Sequence, residues 1–241
     1  MRAMIFAAGV GSRLGSITKD LPKCLVEAGG QTMLEHVVER LKSAGVRAIM
    51  INLHHHADQI CAFVKSRNSF GIDVQFSNEE TLLNTGGGLK AAQDFFSDQK
   101  DFFVHNCDVY SDIDLAVLLR AHRQHQAIAT LAVMRRKSDR QLVFDQQLNL
   151  LGWRNLLNGQ EQLSSSAADT ISAAFSGIQV VSPALFQTMQ QQSGSFGIIS
   201  SYLLAVERGQ SVKGSLFDNS FWIDIGTPEK LQELQLRLQN G

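Results

Sequence analysis

The sequence predicts an α/β fold with a doubly wound, mainly parallel sheet. Three observations lead there. Through the first 134 residues, short apolar runs of strand length alternate with segments whose apolar residues recur at helical spacing. The runs read as buried strands, and strands joined by crossover helices imply a sheet covered on both faces. Glycines follow the first run at once, where a parallel strand hands over to a loop.

Residues 1–7 form the first strand. Residues 32–44 carry Met33, Leu34, Val37, Val38 and Leu41 on one helical stripe, and Gly45 stops that helix as a C-cap. Strands at 47–53, 72–76, 102–106 and 127–134 then alternate with helices at 57–66, 87–96 and 115–125. The second half is less regular. It reads as a hairpin within 141–151, a polar, serine-rich loop at 156–168, a strand at 175–181, helices at 183–190 and 198–207, and a strand at 221–225. Pro183 suits the first turn of its helix, and Thr227 caps the last helix ahead of Pro228. No internal repeat or long linker intervenes, so residues 1–241 are expected to form one domain.

Of the 241 residues, 44% are hydrophobic and 19% charged, the balance of a globular protein. A net charge of -1 leaves no overall basic field to gather nucleic acid. Cys24, Cys61 and Cys107 are scattered without a C-x-x-C pair, which speaks against a disulfide framework or zinc ribbon and fits a reducing cytoplasm. The N-terminus lacks the signal-peptide pattern, and no stretch reaches the roughly 18 apolar residues of a membrane helix. The expectation is a cytoplasmic protein without nucleic-acid or membrane partners. Monomer and dimer both stay open.

The loop after the first strand is the most informative segment. Glycines there expose backbone N–H groups to an anion, because no Cβ stands in the way. Arg13 and Lys23 follow. Leu14 sits where a dinucleotide-binding turn needs its third glycine, and no G-K-[ST] of a Walker loop occurs. The loop therefore calls for another nucleotide-wrapping fold. His54-His55-His56 are adjacent, so their side chains diverge, and a loop is expected there rather than a metal site. Arg135-Arg136-Lys137 reads as a solvated turn after a strand.

Gly9, Gly11, Ser12, Arg13, Leu14, Thr18, Pro22, Lys23 and Leu25 resemble, with matching spacing, the signature G-x-G-[ST]-R-[LM]-x-x-[LI]-T-x-x-x-P-K-x-[LM] of the sugar-phosphate nucleotidyltransferases. Asn84-Thr85-Gly86-Gly87-Gly88 resembles that family's glycine turn against the base, and His105-Asn106-Cys107-Asp108 its N-G-D segment. Phe175-Ser176-Gly177-Ile178 resembles its sugar-side strand, and Trp222-Ile223-Asp224-Ile225-Gly226-Thr227-Pro228 its closing W-x-D-[IV]-G-T-P motif. The resemblance implies a Rossmann-like, GT-A-like domain with a nucleotide-binding half at 1–134 and a sugar-binding, closing half at 135–241. It also implies a short form without the extra domain of longer relatives.

The implied reaction joins the NMP of an NTP to a sugar 1-phosphate and releases pyrophosphate. It needs charge neutralisation rather than a general base. The resemblance assigns the nucleotide to Ala8, Gly9, Gly11, Ser12, Arg13, Lys23, Asn78, Gly86 and Gly87, with Gly88 and Glu79 beside them. Arg13 would hold the leaving phosphates and Lys23 the α-phosphate or acceptor phosphate. Asp108 and Asp224 would hold Mg²⁺, with Arg13, Lys23 and Asp108 as the catalytic set. Asn106, Gly177 and Trp222 would face the sugar, and Trp153 would pack nearby. The expected pair is UTP with an amino-sugar 1-phosphate such as N-acetylmuramate 1-phosphate. GTP with mannose 1-phosphate and CTP with phosphocholine are alternatives.

Two departures stand out: Cys107 replaces the usual glycine, and residues 143–162 lack the family's second, phosphate-holding lysine. Arg154 is the cation in that stretch, and Lys213 lies farther along. Outside the enzyme class, a nucleotide-sugar sensor would need fewer of these charged residues. A dinucleotide-dependent oxidoreductase would need the missing glycine.

Overall fold

The computed structural model describes residues 1–9, 11–98, 100–164 and 169–240. In chain order its strands and helices are β1 (Arg2–Phe6), β2 (Glu27–Ala28), β3 (Gln31–Thr32), α1 (Met33–Ser43), β4 (Ala48–Leu53), α2 (Ala57–Ser66), β5 (Asp73–Asn78) and α3 (Asn84–Ala91). There follow β6 (Phe102–Asn106), β7 (Val109–Ser111), α4 (Leu115–His125), β8 (Ala129–Met134), β9 (Arg140–Phe144), β10 (Leu150–Asn155), β11 (Glu161–Leu163) and β12 (Ile171–Val181). The chain closes with α5 (Leu185–Thr188), α6 (Ile198–Glu207), β13 (Val212–Leu216), β14 (Trp222–Asp224) and α7 (Pro228–Asn240). Among the described residues, no helix is long and apolar enough to cross a membrane.

The body of the sheet runs β5-β4-β1-β6-β12-β8-β13. All its strands point one way except β12, which is antiparallel to both β6 and β8. The sheet is therefore mainly parallel but mixed, as the alternating pattern predicts. Ile171–Ala173, the start of β12, leave the body to pair with β9, and β9, β10 and β11 form an antiparallel ribbon beyond it. A register shift between Phe175 and Gln179 contains Gly177 at φ 72°, a conformation that favours glycine.

The double winding follows from strand alternation. Ala3 and Ile5 of β1 face a core with α1, α2 and α4, through Leu34, Val38, Ile60 and Leu118. Met4, between them, faces the opposite core with Leu89, Leu185, Ile198 and Tyr202 of α3, α5 and α6. Thr32 and Glu35 form a capping box that starts α1, and Asp114 accepts from the Ala116 and Val117 amides to start α4. A third cluster joins the chain ends. Leu231 and Leu234 of α7 pack with Ile223 and Ile225, and with Leu14, Val26 and Met33 from the N-terminal segment.

Several elements differ from expectation: β2, β3, β7 and β13 are strands where none was expected. The helix expected at 87–96 starts at Asn84, so Gly86 lies inside the helix rather than ahead of it. Within the expected loop at 156–168, Glu161–Leu163 pairs with β10, because a polar segment can still complete an edge ladder; residues 165–168 lie outside those described.

Candidate active site

The site lies on the edge where the parallel strands β1 and β6 end, as it does in open α/β sheets. A cavity of about 300 Å³ is lined there by Ala7, Gly9, Gly11, Arg13, Lys23, Cys24, Thr85, Asn106, Cys107, Asp108 and Gly226, with Phe6 at its back. Gly11 has φ 66°, and a Cβ on it would come within 3.2 Å of the Lys23 and Thr18 side chains. Its carbonyl accepts from Thr18 Oγ1 at 2.9 Å and from the Leu14 amide at 2.9 Å, so the turn is fixed from within. Gly9 has no atom within 4 Å of where its Cβ would be; that space belongs to the cleft. The Ser12 backbone opens the following turn, and its side chain lies outside the described residues.

Charge is arranged in pairs. Lys23 Nζ is bonded to Asp108 Oδ2, with the lysine side chain 11% and the aspartate 30% exposed. Lys230 Nζ, from the first turn of α7, is bonded to Asp224 Oδ2. The β7–β14 ladder brings the two aspartates together. Asp224 pairs with Val109, and the Ile225 amide donates to the Asp108 carbonyl at 2.9 Å. Burial alone would raise the Asp224 pKa; the Lys230 hydrogen bond and charge, the Gly226 amide and the charge of Lys23 outweigh it and hold the carboxyl below its usual range. The Arg13 guanidinium reaches the same place: its Nη2 is 3.2 Å from the Cβ position of Gly226. Sequence reasoning missed Lys230. The available signal was a cation in a helix's first turn, where the dipole disfavours it and a nearby carboxylate must compensate.

A neighbouring cavity of about 220 Å³ shares Phe6, Gly9 and Thr85 with the first and adds Ala8, Asn52, Glu79, Leu82 and Asn84. Glu79, not Asn78, forms its wall. Asn78 is exposed and lines neither cavity; alternation along β5 sets it on the face of Val74 and Phe76, opposite Glu79. Glu79 is 6% exposed and accepts from Asn52 Nδ2 at 2.7 Å and from the Leu83 amide at 2.9 Å. Asn52 Oδ1 in turn accepts from the Ala7 amide at 2.8 Å, tying this network to the opening loop.

Gly86 and Gly87, expected at the nucleotide, line neither cavity. Their amides donate to the Phe196 carbonyl, and their Cβ positions lie 2.4 Å from the Phe196 ring and 2.6 Å from the Gly194 carbonyl. Gly88 faces Glu79 Oε1 at 2.6 Å. The three glycines let α3 pack against its own protein, and Thr85 at the helix start is what meets the cleft.

On the expected sugar side, Asn106 lines the first cavity, and Gly177 packs its open face on the Asn106 amide at 2.7 Å. Gly177 thus places Asn106. The indole of Trp222 donates to the Ser176 carbonyl at 2.7 Å, and Arg136 covers one ring face. Trp153 lines a separate cavity of about 690 Å³ between the ribbon and α6. Cys107 is buried; burial, then a hydrogen bond with Cys24, pushes its thiol well up, which makes it a poor nucleophile. His54–His56 form the turn into α2, with His54 Nδ1 bonded to the Glu79 carbonyl at 2.9 Å.

Comparison with known proteins agrees with this geometry. The chain is 28% identical over 232 residues to a mannose-1-phosphate guanyltransferase of Candida albicans, covering 95% of this chain and 62% of that protein. It is 34% identical over 141 residues to a UTP–glucose-1-phosphate uridylyltransferase of Synechocystis, covering 54% of this chain and 36% of that one. The chain thus spans less than two thirds of the length of these relatives. Its fold matches a UDP-glucose pyrophosphorylase solved with UDP-glucose, at TM-score 0.82 and 14% identity over 99% of this chain and 98% of the other. It also matches the inositol-1-phosphate CTP transferase of T. maritima, at TM-score 0.77 and 17% identity over 100% and 96%. Residues 2–144 match the model of the nucleotidyl transferase family, and the chain belongs to that family.

Proposed function

We propose that the protein transfers the NMP of a nucleoside triphosphate to a hexose 1-phosphate. The observation that carries this reading is the gathering of Arg13, Lys23 and Asp108 around one cavity at the end of β1, with Asp224 behind the lining residue Gly226. The acceptor phosphate oxygen, already anionic, attacks the α-phosphorus. The bond from that phosphorus to the bridging oxygen breaks, and pyrophosphate leaves with the electron pair. No proton has to be removed, and none of the cavity's residues is needed as a base. Arg13 takes the charge that grows on the leaving phosphates, Lys23 holds the α-phosphate, and the glycine amides orient the chain between them.

Mg²⁺ fits the donor set. Two hard carboxylates meet across β7–β14, and each now holds a lysine ammonium in the place a cation would take. Asp108 and Asp224 would hold the ion; when bound, it neutralises charge between the two phosphate groups.

The relatives favour GTP with mannose 1-phosphate, which the match over 95% of the chain supports, followed by UTP with glucose 1-phosphate. Neither points to N-acetylmuramate 1-phosphate, the pair expected first from sequence. Pyrophosphate release across GTP, UTP, CTP and dTTP against these sugar phosphates tests the reading. GTP with mannose 1-phosphate should turn over fastest, and silence of every pair would refute the proposal.

A further inference from the structure

We propose that Arg136 is the cation that receives the acceptor's phosphate. This rests on the transferase reading above. The triplet Arg135-Arg136-Lys137 reads in sequence as one solvated turn, and the structure separates its members. Arg135 is exposed, and its backbone amide and Nε both bond Asp218, at 2.7 and 2.6 Å. Lys137 is exposed. Arg136 turns inward and is half-buried, with its Cζ 3.6 Å from the Trp222 ring centroid and its Nη2 donating to the Phe175 carbonyl at 3.0 Å.

Topology puts Arg136 on the site edge. β8 runs parallel to β1 and β6, since both β6 and β8 are antiparallel to β12. Ala8, Asp108 and Arg136 each stand second after the last residue of β1, β6 and β8. A chain of contacts runs from there to Asn106 on the cavity wall. Trp222 projects from the same face of β14 as Asp224, its indole is held by Ser176, and Gly177 beside it packs on Asn106.

The guanidinium is under-used. It has five N–H donors, and among the described residues it makes one hydrogen bond and no ion pair. Its Nε is buried without an acceptor. Burial lowers its pKa, against which the charge of Asp224 works, yet Asp224 is already bonded to Lys230. A desolvated, unpaired charge is costly, and a planar fork with free donors suits a phosphate. Arg13 and Lys23 line the cavity and serve the nucleotide end, while Lys230 is bonded to Asp224, Arg154 to Glu161 and Lys213 to the Gln147 carbonyl. Two polyanions meeting in line need a further cation for the acceptor, and Arg136 is the one with donors to spare.

A purely structural Arg136 would only clamp Trp222 to β12, and the two roles separate experimentally. With Trp153→Phe, Trp222 is the sole tryptophan and reports on the guanidinium stacked upon it. Mannose 1-phosphate should change its emission saturably, free mannose should not, and Arg136→Gln should abolish the response. In turnover, Arg136→Gln should raise the acceptor KM roughly 10- to 100-fold, the value of a charged hydrogen bond. The GTP KM should stay within about twofold, and Arg136→Lys should recover part of the loss. An unchanged acceptor KM, or a joint rise of both KM values with a lower Tm, would overturn the proposal. If no substrate pair turns over, the transferase reading fails, and the fluorescence titration alone decides Arg136: a phosphate-dependent signal lost in Arg136→Gln supports the anion site, and none removes it.

Discussion

Two glycines of the cleft region look alike in sequence and differ in what surrounds them. Gly9 borders both cavities and has open space where a Cβ would be, whereas Gly88 is pressed against Glu79 and Asn52. Gly88→Ala should destabilise the protein by about 1–3 kcal/mol in urea unfolding, through overpacking of a buried polar network. Gly9→Ala should leave stability within about 0.5 kcal/mol and weaken nucleotide binding in calorimetry instead. The titration of His105 gives a second residue-scale expectation. Its Nδ1 donates to the Asn106 carbonyl at 2.8 Å, and burial holds its pKa at about 4 against the ordinary 6.5 of a histidine. Between those values the unfolded chain binds a proton that the native state does not. Stability that is complete above pH 6.5 should therefore fall as pH drops toward 4, by on the order of 3 kcal/mol. His122, also held down by burial, acts in the same direction. Denaturation at pH 7 and pH 5 measures the slope, which His105→Gln should flatten.

At the scale of elements, the reading from sequence succeeds where local signals are dense. The stripe Met33, Leu34, Val37, Val38 and Leu41 is buried as α1, and its capping box adds a physical start. Thr32→Ala should cost about 1 kcal/mol in unfolding free energy, because Glu35 then loses its reciprocal partner. Apolar strands such as β4 and β8 are legible because both faces are buried. Elements defined by pairing are not. β7 is three residues long, and what makes it a strand is its pairing with β14. β11 is exposed along its length and is recognised only by its ladder to β10. Glycines inside α3 disguise where the helix starts, since their role depends on Phe196 and Gly194 approaching from far along the chain.

At the scale of the whole molecule, the fold brings together what the sequence separates. Arg13 and Lys23 could be chosen from their spacing, and Asp108 and Asp224 from their motifs. Their convergence depends on the β7–β14 ladder and on α7 packing against the N-terminal segment. Glu79 rather than its neighbour Asn78 lines the cleft, because successive residues of a strand point to opposite faces. Lys230 and Arg136 escaped because an isolated cation carries no sign of its burial or its partner. The account makes this cleft a place where charge, not proton transfer, governs the reaction. The most direct test compares turnover and nucleotide affinity in Asp108→Asn, a change that keeps shape and removes one negative charge. Pyrophosphate release should fall by about 100-fold or more, the scale of a lost electrostatic contact in a transition state. GTP affinity by calorimetry should change little. Undiminished turnover in Asp108→Asn would contradict the account.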